Sequence, residues 1–208
     1  MALHRTVGVL LFEGFELLDV FGPLEAWGMH AEISAACEIV TTAEKVGAVK
    51  SAQGPRALSD YTLADCPPID VILVPGGIGT RREVNNAAVM EWLRRRAAEA
   101  EIVASVCTGA ALLARAGLLD GRHATSNKLS FKWVTEQGPA VEWVRQARWV
   151  EDGKFATSSG VSAGIDMTLA LIARLAGAEV AERIATRMEY EWHRDPSWDP
   201  FAKIHGLV

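Results

Sequence analysis

Short, mostly apolar strand candidates alternate with helix candidates along the chain, and this alternation restricts the possible folds most. The runs Thr6–Phe12, Cys37–Thr42, Val71–Val74 and Ile102–Val106 are rich in apolar and β-branched residues, and Asn86–Ala100 carries apolar residues at helical spacing. Strands without strict polar alternation are typical of a parallel sheet covered on both faces. With right-handed crossovers, the pattern predicts an α/β fold, a doubly wound and mostly parallel sheet with helices on both faces.

Further segments extend the same pattern. The spacing predicts helices over Leu17–Gly28, Thr108–Ala116, Ser162–Leu175 and Glu179–Glu191. The sequence predicts a hairpin or loop for residues 45–60. For residues 123–157 it predicts short extended segments with a turn at Asp152-Gly153. The tail, from about 193 to 208, is expected to be irregular. A length of 208 residues favours a single domain over 1–208.

Charge and cysteine usage exclude several classes of protein. The net charge of −5 disfavours nonspecific nucleic-acid binding. The longest stretch without charged residues, Ile102–Ala114, is shorter than the roughly twenty residues of a membrane span. The three cysteines, Cys37, Cys66 and Cys107, form no CxxC pair and no zinc spacing. Without an export signal, they predict a cytoplasmic protein with free thiols and no bound metal.

One cysteine lies where a buried strand turns sharply into a helix. The segment Ser105–Gly109 has the pattern of a nucleophile elbow, with Cys107 at the turn. The nearby helix start predicts a thiol pKa below its free value of about 8.5. The backbone N–H of Thr108 is a candidate oxyanion donor, and the Gly76-Gly77 loop could supply a second. The alternative is that Cys107 is a small core residue, as we expect for Cys37 and Cys66.

An acidic residue interrupts an apolar run near the N-terminus. Asp19 lies within Leu17–Phe21, where a carboxylate is costly unless it is paired. It is therefore a candidate acid–base group with a raised pKa, or else a helix-start carboxylate stabilised by the dipole. Histidine is the usual activator of a cysteine nucleophile. No motif places any of the histidines near Cys107, and His123 is expected to belong to a turn.

Six segments together resemble the ThiJ/PfpI superfamily: Val9–Phe12, Leu18–Pro23, Asp70–Gly77, Ser105–Gly109, Ala116–Arg122 and Gly160–Asp166. The chain is most similar to the isocyanide hydratase branch and to the amidase-like domains of AraC-type regulators. The resemblance implies a flavodoxin-like fold and a homodimer. It also implies that Cys107 is the nucleophile, Asp19 the acid/base and Thr108 a supporting donor, with Gly160-Val161 close to the cysteine.

Two departures from the superfamily narrow the expected activity. Protease-like members carry histidine after the cysteine, where this chain has Thr108, so peptidase activity is not expected. Hydratase-like members often have Thr-Thr-His-Trp where this chain has Thr125-Ser126-Asn127-Lys128. The regulators continue into a helix-turn-helix domain, for which this chain, ending at Val208, is expected to have no room.

Three functional hypotheses follow. The first is a cofactor-independent hydratase that converts a small isocyanide to an N-formamide through Cys107 and Asp19. The second is a ligand- or redox-sensing domain that keeps the elbow without turnover, since a low-pKa thiol oxidises readily. The third is glyoxalase or deglycase action on reactive carbonyls, which usually relies on a glutamate and a histidine near the thiol.

Overall fold

The computed structural model describes residues 4–35 and 37–208. The main sheet has seven strands in the order β10-β11-β7-β6-β1-β2-β5. The strands of the chain are β1 Arg5–Leu10, β2 Cys37–Ala43, β3 Gly47–Lys50, β4 Arg56–Ser59, β5 Tyr61–Thr62, β6 Val71–Val74, β7 Ile102–Ser105, β8 His123–Ala124, β9 Glu142–Trp143, β10 Trp149–Asp152 and β11 Phe155–Ser158.

The sheet confirms the predicted doubly wound topology. Strands β5, β2, β1, β6, β7 and β11 are paired in parallel, and only the edge strand β10 is antiparallel, joined to β11 through the predicted turn after Asp152. β6, β7 and β11 are buried along their whole length, which explains why their sequences lack polar alternation. Residues 45–60 form the predicted hairpin, β3 with β4.

The helices form two groups of mutual contacts, one of α1, α6 and α7 and the other of α2, α3, α4 and α5. Among the described helices, none is long and apolar enough to cross a membrane. The helices are α1 Leu17–Ser34, α2 Thr80–Glu83, α3 Ala87–Glu99, α4 Gly109–Arg115, α5 Phe131–Glu136, α6 Ala163–Ala176, α7 Ala178–Arg187 and α8 Phe201–Ile204.

Several predicted boundaries are wrong. Helix α1 continues past Gly28 to Ser34 and ends at Ala35 in the left-handed conformation, and its buried face extends beyond Gly28 to His30. Helix α7 ends at Arg187 rather than Glu191. Helix α5 lies within residues 123–157, where the sequence predicts short extended segments and a turn but no helix, and the tail predicted to be irregular contains the single turn α8.

The strand ends that matter for function meet at one edge of the sheet. β6 and β7 are in register to their last residues, with Val74 opposite Ser105, and Ser105 also pairs with Thr157 of β11. The chain order reverses between β1 and β6, which is where ligands bind in folds of this type. The segments that follow β1, β6, β7 and β11 therefore come together at this point.

The close packing of the elbow on β6 predicts opposite effects for two glycine substitutions. A Cβ at Gly109 would overlap the carbonyl oxygen of Val74, whereas a Cβ at Gly28 would meet no atom within 4 Å. Gly109→Ala is therefore expected to lower the free energy of unfolding by about 1–3 kcal/mol. Gly28→Ala, in the interior of α1, is expected to raise it by about 0.5–1 kcal/mol. Urea unfolding of both variants checks this pair, and equal effects would contradict the packing described here.

Candidate functional site

Cys107 lies in the strained turn between β7 and α4. Its φ of 56° is in the left-handed region, which non-glycine residues rarely adopt. The turn is held from both sides: the N–H of Cys107 donates to the carbonyl oxygens of Ser158 and Ser159, at 3.2 and 3.1 Å. The hydroxyl of Ser126 donates to the Cys107 carbonyl at 2.7 Å. This backbone strain is what a nucleophile elbow requires, and it orients a side chain that is only 5% exposed.

Asp19, on the first turn of α1, faces Cys107 from across the sheet edge. Its side chain is fully buried, and Oδ2 accepts the N–H of Gly76 at 2.8 Å. The second oxygen, Oδ1, has no aligned hydrogen-bond partner. The Cys107 thiol interacts with this same carboxyl group. The predicted pair of a buried acid and an elbow thiol is thus brought together.

The Gly76-Gly77 loop positions both partners of the thiol. Its second N–H, that of Gly77, donates to Oγ1 of Thr108 at 3.0 Å. A Cβ at Gly76 would lie 2.5 Å from the Thr108 nitrogen and 2.9 Å from Asp19 Oδ2, so glycine is required there. The expected role of this loop as an oxyanion donor is therefore not seen in this structure, since both N–H groups are engaged by Asp19 and Thr108. The Thr108 N–H points to the Cys107 sulfur.

The predicted low pKa of Cys107 is wrong. Burial, reinforced by the neighbouring Asp19 carboxyl, raises the pKa of the Cys107 thiol well above its usual value, although the N–H of Thr108 opposes this shift. Burial also raises the pKa of Asp19 well above its usual value, although the Gly76 hydrogen bond opposes it. The favourable end of α4, a helix of seven residues, does not compensate for the loss of water around the sulfur. The resting site therefore holds a protonated thiol.

This raised pKa predicts how Cys107 reacts with alkylating agents. The rate of its reaction with iodoacetamide at pH 7 is expected to be lower than that of free cysteine, and to keep rising with pH above 9, since only the thiolate reacts. Removing the carboxylate with Asp19→Asn lowers the pKa of the thiol and should speed alkylation. Mass spectrometry of the Cys107 peptide across a pH series measures both. An alkylation rate that no longer increases with pH above pH 7 would contradict the raised pKa of Cys107.

Two polar residues that sequence reasoning missed complete the surroundings of Thr108. Thr80, fully buried at the start of α2, has its hydroxyl 3.1 Å from the Thr108 hydroxyl and 2.7 Å from the Gly77 carbonyl oxygen. Arg81 donates to the Thr80 hydroxyl at 3.2 Å, stacks on Trp133 at 4.0 Å and interacts electrostatically with Cys107. No sequence motif marks these residues, because they reach the site through the fold of the loop after β6.

The loop after β11 borders a cavity of about 320 Å³ beside the site. Gly160 and Val161 line it, together with Leu18, the neighbour of Asp19. Gly160 leaves no space for a Cβ, because the Asn127 amide lies against it. The loop is therefore close to the cysteine, as the resemblance implies, through Ser159 rather than through direct contact of Gly160 or Val161 with the sulfur.

The remaining candidates lie elsewhere. Cys37 and Cys66 are buried, and burial raises the pKa of Cys37 to about 11. His123 is exposed beside Glu142 and Asp152, on the short strand β8. Within residues 4–35 and 37–208, no group of three or more metal-ligating side chains is assembled, and no histidine has a hydrogen bond to Cys107.

The mostly parallel sheet, with a cysteine on a strained elbow after the carboxyl end of β7, defines a class of flavodoxin-like proteins with a site built around one thiol. The profile of the DJ-1/PfpI family matches residues 5–174, and the chain belongs to this family. Among curated relatives, isonitrile hydratase of Pseudomonas putida is 33% identical over 190 residues, covering 91% of this chain and 79% of the relative.

The family includes proteins other than hydratases. The HTH-type transcriptional regulator GbdR of Pseudomonas aeruginosa is 30% identical over 190 residues, and the aligned part spans 90% of this chain but only 51% of the regulator. Among solved structures, a ThiJ/PfpI family protein from Pseudomonas syringae has a TM-score of 0.84 at 29% identity, covering 95% of this chain and 79% of the other. Drosophila melanogaster DJ-1beta, at 22% identity and a TM-score of 0.78, shares the fold, covering 91% of this chain and all of that one.

Proposed function

We propose that the protein hydrates small isocyanides to N-formamides without a cofactor, with Cys107 as nucleophile and Asp19 as acid and base. The observation that carries the proposal is the fully buried Asp19 carboxyl beside the thiol of the Cys107 elbow. Similarity to isonitrile hydratase supports the choice of substrate. The acting unit is proposed to be a homodimer in the cytoplasm, binding a small molecule and not nucleic acid.

In the first step, the pair adds S–H across the terminal carbon of the isocyanide. The Asp19 carboxylate accepts the thiol proton as the sulfur bonds to the terminal carbon, and the same proton is then delivered to that carbon. The product is a thioimidate, Cys107–S–CH=N–R. The raised pKa of Asp19 suits this step, because it makes the Asp19 carboxylate a stronger acceptor for the thiol proton than an exposed aspartate.

In the second step, water hydrolyses the thioimidate. The carboxylate of Asp19 accepts a proton from water as the water oxygen bonds to the former isocyanide carbon, and Asp19 passes this proton to the imine nitrogen. The tetrahedral adduct then expels the sulfur, which receives the proton of the adduct's hydroxyl group through Asp19 as the carbonyl forms. The sum is R–NC plus water giving R–NH–CHO, with Cys107 and Asp19 restored. Thr108 supports the sulfur through its N–H and its hydroxyl.

The structure weighs against a redox sensor and against a glyoxalase or deglycase. A redox-sensing thiol is favoured by exposure and a low pKa, whereas Cys107 is 5% exposed and its pKa is raised. Glyoxalase or deglycase chemistry usually uses a histidine beside the thiol. In the described part of the chain, the acidic partner is Asp19, and the hydroxyl groups of Thr80 and Thr108 lie in the same cluster.

A panel of three reagents separates the hypotheses. The purified protein is given an alkyl isocyanide, methylglyoxal, and mild peroxide in separate reactions, and products are followed by NMR and by mass spectrometry of the Cys107 peptide. The hydratase proposal expects N-formamide only from the first. Consumption of methylglyoxal without any formamide would favour the glyoxalase, and selective Cys107 sulfinate without turnover would favour the sensor.

A further inference from the structure

The C-terminal segment, residues 193–208, lies against the cavity beside the catalytic pair. Phe201 and His205 line this cavity opposite Leu18 and Val161. Neither Cys107 nor Asp19 lines the cavity, but two lining residues border the site: Asn127 follows the serine that holds the Cys107 carbonyl, and Ser159 accepts the Cys107 N–H. The profile of the family ends at residue 174, so this wall comes from a part of the chain that the profile does not match.

A buried ion pair fixes this segment in place. Lys128 Nζ lies 3.0 Å from Asp199 Oδ2, and both side chains are almost completely buried. Lys128 also donates to Thr125 Oγ1, Ser126 O and Ala147 O, at 2.7, 3.1 and 2.9 Å. The three hydrogen bonds satisfy the Lys128 ammonium group, whereas Asp199 Oδ2 is within ion-pair distance of it but has no hydrogen-bond partner among the described residues. Lys128 is one of the three positions at which the chain departs from the Thr-Thr-His-Trp pattern, and in the structure it pairs with Asp199 of the C-terminal segment.

The same aspartate sets the position of α8. Asp199 Oδ1 accepts the N–H of Phe201 at 2.9 Å, so one carboxylate joins Lys128 to the residue that faces the cavity. A second buried pair anchors the start of the segment: Arg148 binds Asp166 at 2.5 Å, and Asp166 accepts the N–H of His193 at 3.0 Å. The segment is thus anchored at His193 and at Asp199, and the second anchor lies two residues before Phe201, which lines the cavity.

The character of the lining indicates what the cavity takes. Its volume of about 320 Å³ is at the lower end for small-molecule sites. Leu18, Val161 and Phe201 give it apolar walls, and its one buried charge, Lys128, is already neutralised by Asp199. A neutral substrate with a compact apolar substituent matches this environment, whereas an anionic substituent would find no free buried cation among these lining residues.

We propose that the C-terminal segment forms one wall of the substrate pocket and that Phe201 limits the size of the alkyl substituent that the pocket admits. The identity of the substrate rests on the proposed isocyanide hydration, whereas the existence of the wall does not. Phe201 is a specificity-determining residue in this proposal, and Lys128 and Asp199 are positioning residues that act through it.

The first test compares a compact and a bulky substrate. The ratio of kcat/KM for cyclohexyl isocyanide over isopropyl isocyanide is measured for the wild type, Phe201→Ala and Phe201→Trp. Phe201→Ala is expected to raise the ratio by about tenfold or more, and Phe201→Trp to lower it. The matched control is Ile204→Ala, an exposed residue of the same helix that does not line the cavity. Ratios unchanged from those of the wild type and the control would overturn the proposal.

A second readout does not depend on turnover. The Cys107 peptide is followed by mass spectrometry during alkylation with iodoacetamide and, separately, with N-cyclohexylmaleimide. Phe201→Ala is expected to increase the rate of alkylation by N-cyclohexylmaleimide more than the rate by iodoacetamide. Ile204→Ala is expected to change neither rate. If no isocyanide is hydrated but this selectivity changes, the proposed function fails and the wall stands. If the alkylation selectivity is also unchanged, the wall is overturned whatever the activity.

Discussion

Cys107→Ala is expected to reduce the rate of isocyanide hydration by about four orders of magnitude or more, to a level close to that without protein. The sulfur forms the bond to the isocyanide carbon, and the described site offers no second thiol, since Cys37 and Cys66 are core residues with buried side chains. The measurement is formamide formation under saturating substrate, with thermal unfolding to show that the variant is folded.

The matched control is Cys66→Ala, which removes a buried thiol outside the elbow. We expect it to retain the wild-type rate per folded molecule, although some stability is lost with the packing of the sulfur. Wild-type activity in Cys107→Ala would exclude the thioimidate mechanism. Equal losses in both variants would indicate a folding defect rather than the loss of a nucleophile.

Asp19→Asn is expected to lower kcat by about 10²–10⁴-fold while leaving the protein folded. The amide retains an acceptor for the Gly76 N–H but cannot take up and return the proton that the thiol must lose. The control is Glu25→Gln, an exposed carboxyl on the same helix, for which we expect no change. A variant that kept wild-type kcat would show that Asp19 has no role in proton transfer.

The same substitution, Asp19→Asn, is expected to lower activity but to raise stability at neutral pH. Because burial raises the pKa of Asp19 in the folded protein, its stabilising contribution is full below the pKa of the unfolded chain and is lost as the pH rises towards the folded pKa. At neutral pH, where Asp19 is ionised in the unfolded chain, burying this carboxyl group therefore lowers the free energy of unfolding. Asparagine removes this cost, so Asp19→Asn is expected to have a higher Tm than the wild type at pH 7 and a flatter dependence of Tm on pH. A lower Tm at pH 7 would contradict the burial described here.

The sequence was sufficient to predict the sheet and the elbow. Val71–Val74 and Ile102–Ser105 are so apolar that only a strand buried on both faces accommodates them, and the chain turns at Cys107 because a helix candidate follows at once. Asp19 was recognisable as a site residue because an acid within an apolar run is costly. In each case the signal is local, within a few residues of the position that it concerns.

The features of the site that the sequence does not predict depend on contacts between segments that are distant in the chain. The pKa of Cys107 was predicted with the wrong sign, because a helix start can be recognised in the sequence but burial by Asp19 and the surrounding loops cannot. The sequence makes the Gly76-Gly77 loop a candidate for a second oxyanion donor, whereas in the structure its N–H groups donate to Asp19 and Thr108. The pairing of Lys128 with Asp199, 71 positions later in the chain, has no signature in the sequence.

The most direct test of the central claim is whether the wild-type protein converts a single alkyl isocyanide into the corresponding N-formamide. The reaction is run in ¹⁸O-labelled water, and the product is analysed by NMR and mass spectrometry beside a Cys107→Ala reaction. Catalytic amounts of formamide that carry one ¹⁸O, formed only by the wild type, are the predicted result. No formamide above the level of the Cys107→Ala reaction, with both proteins folded, would contradict the account.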